Sequence, residues 1–333
     1  MFSVSFGPCA ERTRQSSIRR AGSRTIAGLF FFLLLGSLTG CGLLLGGRLP
    51  QSPAGGPAAA RIDGVPFFPQ DELQCGPAAL AMVLNWSGVA VQPAELTPEV
   101  FTPGRKGSLQ SALIGAARRH GRVAYPLSGS EALLAEVAAG HPVIVLVNLA
   151  FAWYPKWHYA VVVGYDQEQG EVILHSGRTA NEHLSARTFM NIWQRSDYWG
   201  LLVLPPARLP ATVEEKPWLT AVAGLERVGQ WQAATEGFAA ALERWPESFT
   251  AWMGLGNGRY QQQDFVGAAA AFRQACLRQP ENGAAFNNLA EALARLGRRE
   301  EALTAAQRAV ALGGPFAERA RQTLQEIEAL PAP

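Results

Sequence analysis

Gln70-Asp71-Glu72-Leu73-Gln74-Cys75-Gly76-Pro77 runs directly into Ala78-Ala79-Leu80-Ala81-Met82-Val83-Leu84-Asn85-Trp86, and Gly88 closes the stretch. The second part is made of strong or adequate helix formers. Pro77 suits a first helical turn, where its missing N–H would have had no partner. The pattern predicts a helix that starts at Cys75, with the thiol at the positive end of the macrodipole. That position lowers a thiol pKa and favours the nucleophilic thiolate. A buried structural cysteine is the plain alternative.

Around this helix the chain reads as α+β. Pro66 and Pro69 force the lead-in Val65-Pro66-Phe67-Phe68 to be extended. Helices are predicted over Ser108 to His120, capped by Ser108, and over Ser130 to Ala139, capped by Ser130 and stopped by Gly140. Val123 to Tyr125 is a candidate strand. Pro142-Val143-Ile144-Val145-Leu146-Val147 is a β-branched run fit for a buried strand. His158-Tyr159-Ala160-Val161-Val162-Val163-Gly164-Tyr165 is a second, and Glu171-Val172-Ile173-Leu174 follows a turn to complete a hairpin. A short helix from Thr188 to Arg195 and a strand from Tyr198 to Leu204 precede Pro205-Pro206, which ends the domain.

Five arginines (12, 14, 19, 20 and 24) precede an apolar run from Ile26 to Leu38, and Leu38-Thr39-Gly40-Cys41 follows. A basic segment, an apolar segment of this length and small residues before a break describe a secretory signal, too short for a convincing membrane span. Leu38-Thr39-Gly40-Cys41 resembles the bacterial lipobox. That resemblance implies lipidation of Cys41, removal of residues 1–40, and, with Gly42 rather than Asp next, an outer-membrane anchor facing the periplasm. The segment before Ile18 is long for such a signal, so a start downstream of Met1 stays open. Residues 1–40 hold five arginines and one glutamate, so the chain's +2 becomes −2 without them. No basic cluster then remains to point to nucleic acid. Gly46-Gly47, Ser52-Pro53 and Gly55-Gly56-Pro57 read residues 41–60 as a flexible tether. The remaining cysteines, Cys75 and Cys276, do not make a disulfide scaffold, and Cys276 falls on an apolar helix face.

Gln70-x4-Cys75-Gly76-Pro77 and, with His158 83 residues after Cys75, His158-Tyr159-Ala160-Val161-Val162-Val163-Gly164-Tyr165-Asp166 together resemble the bacteriocin-processing, double-glycine-leader cysteine peptidases, and more closely their transporter-free relatives. The likeness spans about 61–205. It implies a papain-like domain in which Cys75 is the nucleophile, His158 the base, and Gln70 with the Cys75 N–H the oxyanion hole. Gln74 competes with Gln70 by proximity. The family's third member, an Asp or Asn on the next strand, has no counterpart: the window 16 to 19 residues after His158 reads Leu174-His175-Ser176-Gly177. Ser176 or His175 is left to orient His158, with Asn181 and Asp166 as loop alternatives, although Asp166 also suits the hairpin turn. Trp153, Tyr154, Trp157 and Tyr159 cluster near His158, as a binding wall or as loop packing. No metal or other cofactor is implied, since His175 and His158 have no further donors at ligand spacing.

A 34-residue period dominates the rest. Trp218, Trp252 and Phe286 obey it, as do Ala234, Ala268 and Ala302, and Ala241, Ala275 and Ala309. Trp252-x2-Leu255-Gly256, with Ala268, Phe272, Ala275 and Pro280, is similar to the tetratricopeptide consensus. Residues 213–330 are thus expected to be three helical-hairpin repeats and a cap helix, an all-α solenoid. Such solenoids present a concave surface for a peptide or protein partner; bracing the first domain is the plainer role. The whole implies a lipid-anchored periplasmic cysteine peptidase with a partner-binding module. A thiol acyl- or peptidyl-transferase on the same site, and a degenerate scaffold acting through its repeats, are the alternatives.

Overall fold

The computed structural model describes residues 56–70 and 73–330. The expected signal over 1–40, Cys41 and most of the expected tether lie outside the described residues. The end of the tether does not: Ala59–Arg61 is a strand, β1.

The order is β1, α1 (Cys75–Trp86), α2 (Pro93–Val100), β2 (Phe101–Thr102), β3 (Gly107–Ser108), α3 (Gln110–Arg119), β4 (Val123–Ser128), α4 (Ser130–Ala138), β5 (Val143–Asn148), β6 (Trp157–Asp166), β7 (Glu171–Ser176), β8 (Thr179–Ser185), α5 (Ala186–Trp193) and β9 (Trp199–Leu204). Seven strands form one antiparallel sheet in the order β4-β9-β5-β6-β7-β8, with β1 also on β6. β6 is the spine. On one side β5 pairs with Trp157 to Val162, and β1 takes over at Gly164 to Asp166. On the other side β7 pairs only from Val161 onward. The start of β6, where His158 and Tyr159 sit, therefore has an edge free of the ladder.

Helix α1 lies against the sheet and is buried from Gly76 to Leu84. This explains why its sequence carries no polar stripe: a helix covered on all sides has none. Gly76 is required by close approach, since a Cβ there would stand 2.2 Å from Ser108 Oγ. Ser108 is not the expected cap of α3. It is in β3, paired with Phe101, and its carbonyl accepts from the Tyr159 hydroxyl at 3.2 Å. Leu109 occupies the cap position instead, without a side-chain bond. Likewise Gly129, not Ser130, precedes α4. The short helix before the last strand is shifted to Ala186–Trp193, where the Ser185 hydroxyl accepts from Thr188 N–H.

The second region is α6 (Glu215–Glu226), α7 (Trp231–Arg244), α8 (Phe249–Gln261), α9 (Phe265–Arg278), α10 (Gly283–Arg295), α11 (Arg299–Leu312) and α12 (Ala317–Glu328). These are three helical hairpins and a final helix. The alanines of the 34-residue period are all buried. A Cβ on Gly256 would stand 2.4 Å from the Phe272 ring, so the small residue sets how closely α8 and α9 pack. The core of the sheet continues without a break into the first hairpin through Trp218, Val222, Leu225 and Phe238. Tyr125 of β4 meets Trp218 at 6.4 Å between ring centroids. Between the two regions, the buried carboxylate of Glu136 accepts from Ala211 N–H at 3.0 Å, Thr212 N–H at 2.7 Å and the Thr212 hydroxyl at 2.6 Å, and pairs with His141 Nδ1 at 2.7 Å. A buried carboxylate satisfied on this scale clamps the connecting segment to α4.

Candidate active site

Cys75, at the first position of α1, lines a cleft of about 1210 Å³ together with Gln70, Ser108, His158, Tyr159 and Gly177. They come from segments far apart in sequence: the lead-in and helix start, β3, the free edge of β6 and the turn after β7. The turn before Cys75 passes through Leu73 at φ 65°, a left-handed conformation that costs a non-glycine residue about 1–2 kcal/mol. Gln74 is not among the residues lining the cleft, and its Oε1 accepts from the Thr97 hydroxyl at 3.0 Å. Gln70 is different. Its side chain is 6% exposed, and both its amide nitrogen and its oxygen lack partners. Its backbone N–H donates to Gly177 O at 2.9 Å, which pins the lead-in across the end of β7. A buried amide without partners is expensive to keep, and here it lines the same cleft as the thiol.

The thiol does not behave as its place on the helix implies. Burial pushes the Cys75 pKa above its ordinary value of 9.0, against backbone N–H groups of Tyr159, Gly76 and Cys75 itself that favour the thiolate. The expected lowering fails because the helix N-terminus is covered by β3 and β6. Tyr159 supplies its N–H from the unpaired edge of β6. Its own hydroxyl is pushed to higher pKa by burial and by the neighbouring Cys75.

His158 Nε2 and Ser176 Oγ are 3.2 Å apart. Burial, and then the charge of Lys156, lower the imidazole pKa to about 4. At neutral pH the ring is therefore uncharged. In the tautomer that serves as a base, Nε2–H donates to Ser176 and Nδ1 keeps its lone pair. Both shifts favour the neutral forms, thiol on Cys75 and imidazole on His158.

The other candidates are engaged elsewhere. His175 is adjacent to Ser176 on β7, so it faces the opposite side of the sheet. Its Nε2 donates to Val65 O at 3.2 Å, and its Nδ1 accepts from Asn181 N–H at 3.2 Å. His175 therefore holds the lead-in that carries Gln70 and does not reach His158. Asn181 meets His175 through its backbone N–H and does not line the cleft, and Asp166 accepts from Gln169 N–H at 2.9 Å in its turn. The aromatic cluster divides. Tyr159 is buried and Trp157 lines the cleft, whereas Trp153 and Tyr154 are exposed on the hairpin tip, Trp153 stacked on Phe151 at 5.6 Å. Asn148 and Arg195, not anticipated from sequence, hold that hairpin: Asn148 Oδ1 accepts from Ala150 and Lys156 N–H, and Arg195 donates to the carbonyls of Asn148 and Ala150. Cys276 is buried in the repeats, its thiol pushed up to about 12.

A thiol at a helix start, a strand-borne histidine and an amide across one cleft define a papain-like domain, here followed by helical repeats. Comparison names both parts. Residues 62–200 match the model of the Peptidase_C39 like family, and residues 224–276 and 255–315 match that of the tetratricopeptide repeat. The chain thus joins a Peptidase_C39-like domain to tetratricopeptide repeats. No curated protein matches it. Among solved structures, a C39-like peptidase from Bacillus anthracis aligns at 19% identity over 44% of this chain and 97% of its own, with a TM-score of 0.37. MamA aligns at 18% identity over 34% of this chain and 66% of its own, with a TM-score of 0.33. YrrB, a repeat protein described with an unusual peptide-binding site, aligns at 27% identity over 34% of this chain and 58% of its own, with a TM-score of 0.32. The chain thus spans less than two thirds of the length of these two repeat proteins.

Proposed function

We propose that the first domain is a cysteine peptidase and that the repeats present it with a substrate or partner protein. The observation that carries this reading is the pairing, in one cleft, of Cys75 with an otherwise unpartnered, buried Gln70 amide. Its Nε2 is available to donate to an oxygen that becomes negative during reaction. Cys75 Sγ attacks a peptide carbonyl carbon while His158 Nδ1 takes the thiol proton. The carbonyl oxygen becomes an oxyanion between Gln70 Nε2 and the Cys75 N–H. Collapse breaks the C–N bond, and the imidazolium returns its proton to the leaving amine. Water, deprotonated by His158, then releases the acyl group and restores the thiol. Ser176 fixes the ring but supplies no charge.

The location belongs to the same proposal. Residues 26–41 support a lipid anchor at Cys41 and a place in the cell envelope, at the outer membrane facing the periplasm. Labelling the protein with an alkyne fatty acid and comparing Cys41→Ala tests it, and no label on the parent rejects it.

The peptidase reading is tested by incubating the full chain with a mixed peptide library and labelling new amino termini. New termini are expected with the parent and absent with Cys75→Ala and His158→Ala. Equal cleavage by Cys75→Ala would remove the assignment. The raised thiol and the neutral Ser176 favour one rival, a scaffold that binds without cutting. It predicts bound peptide and no new termini from any variant.

A further inference from the structure

The tip of the β5–β6 hairpin carries apolar and aromatic side chains that the first domain leaves uncovered. Leu149-Ala150-Phe151-Ala152-Trp153-Tyr154-Pro155 holds no charge. Phe151, Trp153 and Tyr154 are 63%, 81% and 70% exposed. Phe151 stacks on Trp153, and Trp153 meets Tyr154 at 6.1 Å between ring centroids. A contiguous exposed patch of this kind marks an interaction surface. Substrate in the Cys75 cleft does not account for it: Pro155, Lys156 and Trp157 line that cleft, and the three rings do not.

The backbone beneath the rings is already paired. Leu149 N–H donates to Lys156 O, and Tyr154 N–H to Phe151 O. The Asn148 side chain accepts from Ala150 and Lys156 N–H and donates to Phe151 O. Arg195 donates to the carbonyls of Asn148 and Ala150. Peptide groups satisfied in this way cost less to bring out of water. The side chains favour a lipid surface over a protein. Trp and Tyr suit a boundary where the ring meets hydrocarbon and its polar atom stays wet. Three rings of about 150–250 Å² each fall short of the ~800 Å² that a partner buries in a standard protein interface.

We propose that this tip seats in the headgroup boundary of a phospholipid bilayer, with Phe151, Trp153 and Tyr154 as the inserted side chains. The inference needs neither catalysis by Cys75 nor a lipid on Cys41, and it is compatible with both. Because Pro155 to Trp157 continue into the cleft wall, a seated tip holds the cleft mouth at the membrane surface. β1 joins β6 at the end away from the tip, Ala59 opposite Asp166, and the ten residues of β6 span ~33 Å. Gly56 lies fifteen residues after Cys41, a reach of up to ~50 Å, so anchor and tip can engage one bilayer together.

The test mixes the full chain with phosphatidylcholine vesicles doped with a phospholipid bearing a diazirine near the top of its acyl chain. After irradiation, adducts are mapped by mass spectrometry. Adducts at Phe151, Trp153 and Tyr154 should exceed those at the equally exposed Val266 and Leu277 of the repeats at least tenfold. Replacing the three rings together (Phe151→Ser, Trp153→Ser, Tyr154→Ser) should cut adducts on residues 149–157 at least tenfold, with the melting temperature held. Adducts on residues 1–55 and only the repeats' background at the tip overturn the inference and leave the anchor. Adducts at the tip and none on residues 1–55 sustain the inference and reject the anchor. A dimer in sedimentation that the triple variant abolishes, without lipid adducts at the tip, overturns the inference in favour of a second copy.

Discussion

Replacing Ser176 by Asp should turn a neutral thiol–imidazole pair into a more acidic, faster-reacting one. Ser176 Oγ lies 3.2 Å from His158 Nε2, and the imidazole pKa stands at about 4 because burial and Lys156 oppose its charge. A carboxylate there would sit ~4 Å from the centre of the imidazolium charge. At an effective dielectric of about 20 that is worth about 4 kcal/mol, or about 3 pKa units. Desolvating the new carboxylate takes back about one, so the imidazole should rise from about 4 to ~6. The sign is fixed: a carboxylate favours the protonated ring, so the base is lost at higher pH. The assay is kcat/KM against pH, whose acid limb reports the base of the free enzyme. The parent's limb should fall near pH 4, and that of Ser176→Asp about two units higher. Cys75 alkylation at pH 7 should be faster in the variant, since an imidazolium stabilises the thiolate. Ser176→Ala loses one hydrogen bond worth about 1 kcal/mol, so activity should drop several-fold with the limb unmoved. A limb that stays put in Ser176→Asp would refute the placement of Ser176 behind the catalytic ring.

Gln70→Met removes a buried amide that has no partner; kcat should fall about 100- to 1000-fold while the melting temperature holds or rises, and a large loss of stability would mean the amide is structural. Gly76→Ala would press a methyl group to 2.2 Å from Ser108 Oγ; overpacking of this kind costs about 1–3 kcal/mol, read by urea unfolding, and should slow Cys75 reactions by moving β3, whereas an unchanged midpoint would contradict the close approach. Glu136→Gln should cost about 3 kcal/mol at neutral pH and expose 205–213 to protease. Burial works against this carboxylate, but bonds from His141, Thr212 and Ala211 outweigh it and hold the pKa below 4.5. Its contribution is therefore present above that pH and lost as pH falls through the folded value, so parent and variant should converge in acid; a constant difference would refute the linkage.

Much of this architecture was legible because its signals are local or periodic. The 34-residue spacing of Trp218, Trp252 and Phe286 is a repeat whatever surrounds it. The run from Val143 to Val147 reads as a strand because it is short, continuous and rich in β-branched residues, and four of its five side chains are buried. Cys75 at a helix start followed from Pro77. What escaped depends on partners distant in sequence. β1 lies in a Gly-, Pro- and Ala-rich stretch, and only its pairing with Gly164 to Asp166 makes it a strand. β8 is a mostly exposed edge strand of polar residues, with little alternation to see. α2 carries Pro98 inside its eight residues, a residue that disfavours a helix interior, yet Pro93 at its start and the Gln92–Glu95 capping box hold it. Ser108 looked like a cap until β2 took it as a partner.

The site divides in the same way. That Gln70 lines the cleft while Gln74 turns to Thr97, 23 residues away, is a tertiary effect. That Ser176 meets His158 while His175 turns to Val65 shows only once β7 is paired with β6. The thiol's direction of shift could not be read from its helix position, because burial by β3 and β6 is a tertiary effect.

The most direct test is the intact mass of the full chain mixed with peptides that the library assay shows to be cut and quenched in acid within milliseconds to seconds. The expected result is a transient adduct of acyl mass, mapped to the peptide containing Cys75, that decays as product appears; with a preactivated ester, whose attack by Cys75 needs the base less than hydrolysis of the adduct does, the adduct should accumulate in His158→Ala. No adduct on Cys75 while peptides are cut, or product formed undiminished by Cys75→Ala, would contradict nucleophilic catalysis at this residue.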